Sequence, residues 1–474
     1  MARHSQPRQL TRRIRRGNVL RNPQAGFSAA CFSLLARPEC GLPEFARLLP
    51  YFCPVPLLPP DRRLPLLYAI ILVDVIVGAA LGPVLPEFVR GLHRPQLWLS
   101  VGTGLFLGVQ LFSAPLLGRL GDGYGRRPIF ILSAVGTLLA NALLLPVRAG
   151  LYFANRVSDG LTNGMYATVR SAITDISKPE QLFRNLGIEG AIISLGFVLG
   201  PMAAGLMLTF LHVPPAQQAT YVVRLALALA TLNVGLSLWL PETHAGRGGV
   251  RGTELRAELA ASLNPLTLWA RLRAKDQQNP GIRRIVLTQV ALTLSTGYYF
   301  YFVPFASLGP LHFNARQISY LFMYFGALSV GLNYVFYTFL ADRLDQRRAI
   351  VWLAALGTPV LAGYGLMGTS KAALYTLITA DCLTLSLIQG LLEGRLARRT
   401  TEADRGEIFG LNQAFQSLAS FGTALVFGGL SVLDLRLPWA WFALGLAAVA
   451  VLAAWPEPAI PQRALPAKPS QAVA

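Results

Sequence analysis

Apolar residues run along this chain in blocks of about twenty, the length of helix that crosses a bilayer core. Short polar connections separate the blocks. The pattern predicts spanning helices over 65–86, 97–118, 127–146, 151–172, 186–209 and 220–240. It then breaks over the polar, basic stretch 242–283 and resumes over 285–307, 318–340, 348–367, 372–392, 408–430 and 433–455. Two sets of six spans therefore flank a linker, giving an N-terminal half (64–241) and a C-terminal half (284–455). Glu254–Arg273 in the linker is too polar to span and reads as an amphipathic surface helix. Residues 1–63 form a basic N-terminal extension, and 456–474 a Pro/Ala-rich tail expected to be disordered.

Composition agrees with the pattern. Charged residues make up 14% of the 474 and hydrophobic ones 53%, against about 25% charged in soluble proteins. The fold class is all-α polytopic membrane protein. A net charge of +19 would suit a nucleic-acid binder, but the arginines sit in short connections on one side. Arg119/Arg126/Arg127, Lys178/Arg184, the linker, Arg343/Arg347/Arg348 and Arg395/Arg398/Arg399/Arg405 follow even-numbered spans, whereas the opposite connections hold at most one basic residue each. The first outward connection, with Arg90 and Arg94 beside Glu87, is the exception. This asymmetry sets topology and needs no polyanionic partner. It places both termini in the cytoplasm, in a plasma or inner membrane.

The chemistry expected of an enzyme does not emerge. Cys31, Cys40, Cys53 and Cys382 have no CxxC spacing and histidines are few, so neither a metal site nor a disulfide framework is expected. No nucleophile–base arrangement is seen, no cofactor is implied, and the chain is expected to act as a monomer.

Two features point to moving parts. The stretch Gly118-Arg-Leu-Gly-Asp-Gly-Tyr-Gly-Arg-Arg-Pro128 has room for a tight turn after the second span. Its Asp122…Arg127 spacing returns as Asp342…Arg347 after the eighth, an internal repeat of a known transporter plan. Charges also fall within the spans. Asp74 stands in the first and Asp381 in the tenth, while Arg156 and Asp159 share a face of the fourth. Arg170, Asp175, Glu189 and Arg224 lie within or near span ends. Intramembrane charges persist where they are paired, protonated or wetted. Each is thus a structural partner or a group that couples protons or recognises solute. Tyr298, Tyr299, Phe300 and Tyr301 in the seventh span could line an aromatic cavity, form an interface belt or pack between helices. Gly196, Gly200 and Gly205 permit close helix contact in the fifth span, where Pro201 removes a backbone donor.

The loop Gly118-x-Leu120-x-Asp122-x-x-Gly125-Arg126-Arg127 resembles the signature of the major facilitator superfamily, with Gly123 where a basic residue usually follows the acid. Asp74, Gly78, Pro83 and Pro86 resemble the first helix of its drug:proton antiporter group. Arg156 and Gly160 resemble the family's arginine motif, and Gly196-x-x-x-Gly200-Pro201 its antiporter motif, partly lost at Ala204-Gly205. The resemblance covers roughly 65–455 and looks closest to tetracycline-resistance-like exporters. It implies the twelve-helix major facilitator fold and proton-coupled export of a small amphipathic solute. An importer or uniporter of a metabolite on the same fold, or a non-transporting receptor, is the alternative. It places Asp74 in the cytoplasmic part of its helix near the signature loop, and gives Arg156 a coupling role. Arg170 and Asp175 join a gating network in which Asp122 faces the N-terminus of the eleventh helix.

Overall fold

The computed structural model describes residues 61–244, 249, 264–336, 340, 344–400 and 402–455. Among them every regular element is helical. The N-terminal set comprises α1 (Arg63–Leu81), α2 (Leu85–Val89), α3 (Pro95–Tyr124), α4 (Arg126–Ala142), α5 (Ala149–Thr162), α6 (Met165–Ile176), α7 (Pro179–Phe210) and α8 (Gln218–Trp239). After α9 (Pro265–Gln278) come α10 (Ile282–Thr296), α11 (Tyr298–Leu308), α12 (Ala315–Val335), α13 (Gln346–Leu366), α14 (Lys371–Arg399), α15 (Glu402–Leu433) and α16 (Leu437–Ala454).

Among the described residues, eight helices are long and apolar enough to cross a membrane. They correspond to the expected first, second, fifth, sixth and ninth to twelfth spans. Of the remaining four, three depart for local reasons. α4 has 17 residues. The fourth expected span is broken at Asn163-Gly164, where Asn163 adopts ψ 72°, and the seventh divides at Gly297. α12 is one continuous helix of 21 residues, and residues 337–339 just beyond it lie outside the described residues.

Where the sequence supplies a capping side chain, a helix starts on it. Asn314 and Gln317 form a reciprocal capping box at α12, Asp345 accepts from Arg347 and Arg348 at α13, and Ser370 accepts from Ala373 at α14. The expected turn over 118–128 is mostly helix. α3 runs on to Tyr124, and one residue, Gly125 at φ 100°, reverses the chain before α4.

α1 packs along α7 and α8, and the buried side chains of 64–240 gather in two clusters around α1. The C-terminal helices bury a larger, aromatic core built on Tyr298, Tyr301, Tyr364, Trp439 and Phe442. Of the expected linker helix, residues 254–263 lie outside the described residues; a helix spans Pro265–Gln278, and only part of its surface is exposed. Leu268 and Leu272 are buried, Leu272 among Ile282, Ile285, Leu396 and Ile408. Lys275 pairs with Asp404 at 2.6 Å and Glu407 at 2.8 Å, while Leu266 and Trp269 remain exposed. The N-terminal extension to residue 60, most of 245–263, and the tail from 456 lie outside the described residues, as do Cys31, Cys40, Cys53 and Asp342.

Candidate functional site

Three groups of polar residues stand out. The first gathers where α3 meets α4. Arg126, 6% exposed, pairs with Asp122 at 2.6 Å and with Asp175 at 3.0 Å, and donates to the Gly118 carbonyl at 3.4 Å. A guanidinium suits this role because its planar fork presents several donors in fixed directions. Asp122 is half exposed and pairs with Arg126, one turn on; the first side chains of the eleventh helix lie outside the described residues. The acid at a helix N-terminus here is Glu242. It accepts from the backbone N–H of Arg126 at 2.8 Å and of Arg127 at 3.2 Å, and from its own neighbours Thr243 and His244. A Cβ on Gly125 would come within 2.5 Å of the Glu242 carboxylate, so glycine is required by space as well as by φ.

Partial burial favours the neutral Glu242 carboxyl, but the four N–H donors outweigh it and hold the group below its ordinary value. The folded state thus favours the carboxylate. Its contribution to stability is present above the ordinary value, about 4.3, and disappears as pH falls through the lower folded one. Glu242→Gln is expected to cost about 1 kcal/mol at pH 7, the scale of an anion at a helix N-terminus. Thermal unfolding in detergent at pH 7 and pH 4 checks this, with the difference from the parent shrinking at the lower pH.

The terminal arginines of the repeated hexapeptide do equivalent work. Arg127 donates to the Leu238 carbonyl at 2.9 Å, at the C-terminal end of α8. Arg347 donates to the carbonyls of Ala453 and Ala454, at the C-terminal end of α16. Each closes the last helix of its own set, where carbonyls lack intrahelical partners.

The second group lies deeper. Asp74, 8% exposed, accepts from the Asn233 amide of α8 at 3.3 Å. It is eleven residues into α1 from Arg63, about 16 Å at the helical rise. Arg63 bonds the Glu242 carbonyl, so Asp74 is well away from the signature turn that the resemblance placed near it. Asp159 lies within electrostatic range of Asp74, and both act on Tyr166. The Thr137 hydroxyl is 3.5 Å from Asp159. Arg156 does not close on Asp159 as a contact pair. Its guanidinium donates to the Asn155 side-chain Oδ1 at 2.6 and 2.8 Å and lies over Phe106 and Tyr152, though its charge still acts on Asp159. Arg170 likewise turns from Asp175 to buried Glu189 at 3.3 Å. Arg224 is exposed over Tyr221 rather than buried.

The third group is in the C-terminal helices. Asp381 is fully buried. Its Oδ2 accepts from the Tyr298 hydroxyl and from Tyr364 at 3.5 Å, while Oδ1 has no hydrogen-bond partner among the described residues. Tyr298 and Tyr301 are core residues, Phe300 is exposed, and half-buried Tyr299 stacks on Tyr298. Trp439 backs the group, with its ring centroid 4.6 Å from that of Tyr364.

The fifth-span glycines serve two contacts. A Cβ on Gly196 would meet Val75 at 2.7 Å, and one on Gly200 would meet Ala79 at 2.7 Å and the backbone at Ala80 and Ile76 at 2.8 Å. A Cβ on Gly205 would meet Ser319 of α12 at 2.7 Å. Pro201 lies within α7 without breaking it. Further contacts join the two helix sets at the same end. Gln96 donates to the Leu308 carbonyl at 3.0 Å, and Arg316 to those of Leu208 and Val213 at 2.9 and 3.0 Å. Gly104 and Gly108 lie against Leu425 and Phe421, and Gly428 against Ser100. In each helix these positions lie toward the end opposite the Gly125 turn.

Glu242 and Asn233 carry no marks that sequence reasoning used. An acid that binds backbone N–H groups needs no basic partner in the sequence. Asn233, an amide alone in an apolar span, was the available signal.

The family model described as Major Facilitator Superfamily matches residues 67–421. Tetracycline resistance protein class C of Escherichia coli is 34% identical over 202 residues, 40% of this chain and 46% of that protein. The chain therefore spans about half the length of that relative. Multidrug resistance protein 2 of Bacillus subtilis is 23% identical over 387 residues, covering 79% of this chain and 91% of that protein. The fold matches the crystal structure of the human organic anion transporter MFSD10 with a TM-score of 0.60 at 20% identity, over 84% of this chain and 100% of that one.

Proposed function

We propose that this chain, which belongs to the Major Facilitator Superfamily, exports a small amphipathic solute across its membrane in exchange for protons. Superfamily membership and the fold give the coarser statement, an integral membrane protein built as a small-solute secondary transporter. In our reading, twelve spans in two six-helix halves, 64–241 and 284–455, enclose the path, and the basic connections and both termini face the cytoplasm.

One observation carries the coupling. Asp74 and Asp159 come from different helices, lie within electrostatic range of each other inside the first helix set, and have neutral partners at hydrogen-bond distance, Asn233 and Thr137. Buried acids in a spanning helix mark proton relays, and one proton taken up changes the charge of the pair. Arg156, held by Asn155 rather than by Asp159, is positioned to answer that change by moving between partners. A proton entering from outside neutralises one carboxylate, and its release to the cytoplasm restores the charge.

Alternating access rests on the contacts between the halves. Gly205–Ser319, Arg316–Leu208 and Gly428–Ser100 gather at the end opposite the basic turn, which supports a state shut at that end. The Arg126 group joins residues of the first half to one another. On this reading it fixes the half as a rigid body that rocks, and its closing contact with the second half forms in the other state.

A screen of amphipathic solutes in proteoliposomes with an imposed pH gradient tests this. Gradient-driven movement is expected to fall at least about a hundredfold in Asp74→Asn, as removing one coupling carboxylate removes the exchange, with the fold intact by thermal unfolding. Undiminished movement would take Asp74 out of the coupling scheme.

A further inference from the structure

We infer that Asp381 and the tyrosines around it form a binding site for the protonated head of a primary amine. The observation is an unsatisfied acceptor on a residue that lines a void. Asp381 is wholly buried, and Tyr298 and Tyr364 both donate to Oδ2, leaving Oδ1 without a partner among the described residues. Beside it lies a cavity of about 20 Å³ walled by Tyr298, Tyr299, Phe302, Phe325 and Tyr364. A buried carboxylate oxygen left unpaired is costly, so something complementary belongs there.

Size and chemistry narrow the occupant. The void suits one water-sized group, which an –NH3⁺ head matches and a quaternary ammonium exceeds. Aromatic rings make up most of its wall, beside Leu321 and Ile378, and their faces attract cations and repel anions. Ca2+ or Mg2+ takes about six oxygen ligands and Zn2+ about four ligands, and a single free carboxylate oxygen supplies neither set. A water molecule requires two to four polar partners, whereas the two tyrosine hydroxyls already point to Oδ2. A primary ammonium satisfies both demands, pairing with Oδ1 and stacking its charge on the tyrosine rings. Phe322 and Phe325, half-buried at the margin of the cavity, give an apolar path for the tail of such an amine.

This names a solute class for the exporter and rests on that reading only in making the bound amine its cargo. Binding is measured without a gradient, so loss of coupling and loss of the site are separable. The experiment is calorimetric titration of the full chain in nanodiscs with n-hexylamine, tetraethylammonium and hexanoate at neutral pH. Hexylamine is expected to bind, at least about tenfold more tightly than the other two. In Asp381→Asn its affinity is expected to fall at least about tenfold, with Asp381→Glu recovering part of the loss. Comparable binding of all three probes by the parent protein would overturn the assignment, and that comparison needs no variant to fold. Unchanged hexylamine affinity in a folded Asp381→Asn protein would overturn it equally.

Discussion

Arg126→Ala is expected to lower stability by about 2 to 3 kcal/mol, the lower part of the range for breaking a buried ion pair. The guanidinium is nearly inaccessible and serves Asp122, Asp175 and the Gly118 carbonyl together. Its removal leaves Asp175, one-fifth exposed, without its closest cation, and only His244 at 3.7 Å remains beside it. Asp122 is well hydrated, which keeps the loss below the upper limit. Arg126→Lys keeps the charge but not the fork, and is expected to recover less than half of the loss. Thermal unfolding of the purified variants in detergent reads both effects. An alanine variant within about 0.5 kcal/mol of the parent, the usual range for a substitution at an ordinary surface position, would show that Arg126 is not the centre of this group.

Gly200→Ala is expected to be the second large effect, about 1 to 3 kcal/mol, the usual cost of overpacking. The new methyl would lie 2.7 Å from Ala79 Cβ and 2.8 Å from backbone atoms of Ala80 and Ile76. Backbone cannot rotate aside as a side chain can, so α7 must move off α1. Gly187→Ala in the same helix provides the comparison. Nothing lies within 4 Å of its Cβ, and alanine favours a helix over glycine, so that variant is expected to be neutral or slightly more stable. Equal losses in both would attribute the effect to α7 in general instead of its contact with α1.

These cases show what sequence reasoning reaches. Spans with uniform apolar runs, such as 65–86 and 433–455, are visible because bilayer length is written directly into composition. The break at Asn163-Gly164 and the division at Gly297 are not, because one or two residues leave the hydropathy of a long segment nearly unchanged. The signature stretch was legible as a unit, and its Asp122–Arg126 pair follows from spacing once the segment is helical. Glu242 escaped because its partners are backbone N–H groups, which every residue but proline carries. Arg156 and Asp159 looked like a pair because they share a face, but a neighbouring amide and two aromatic rings claim the arginine. Side-chain direction, which spacing alone does not give, decided that case. Asp381 was visible as an isolated acid. Its aromatic surroundings come from Tyr298, Tyr364 and Trp439, on three different helices, and only the fold brings them together.

In the proposed cycle, proton movement through the Asp74–Asp159 region drives solute. Its most direct measurement is solute accumulation in proteoliposomes whose lumen corresponds to the outside of the cell, with the lumen made acidic. Accumulation is predicted in the parent protein, lost when the gradient is collapsed and lost in Asp74→Asn while the gradient stands. Equal accumulation with and without the gradient, or full accumulation by the asparagine variant, would contradict it.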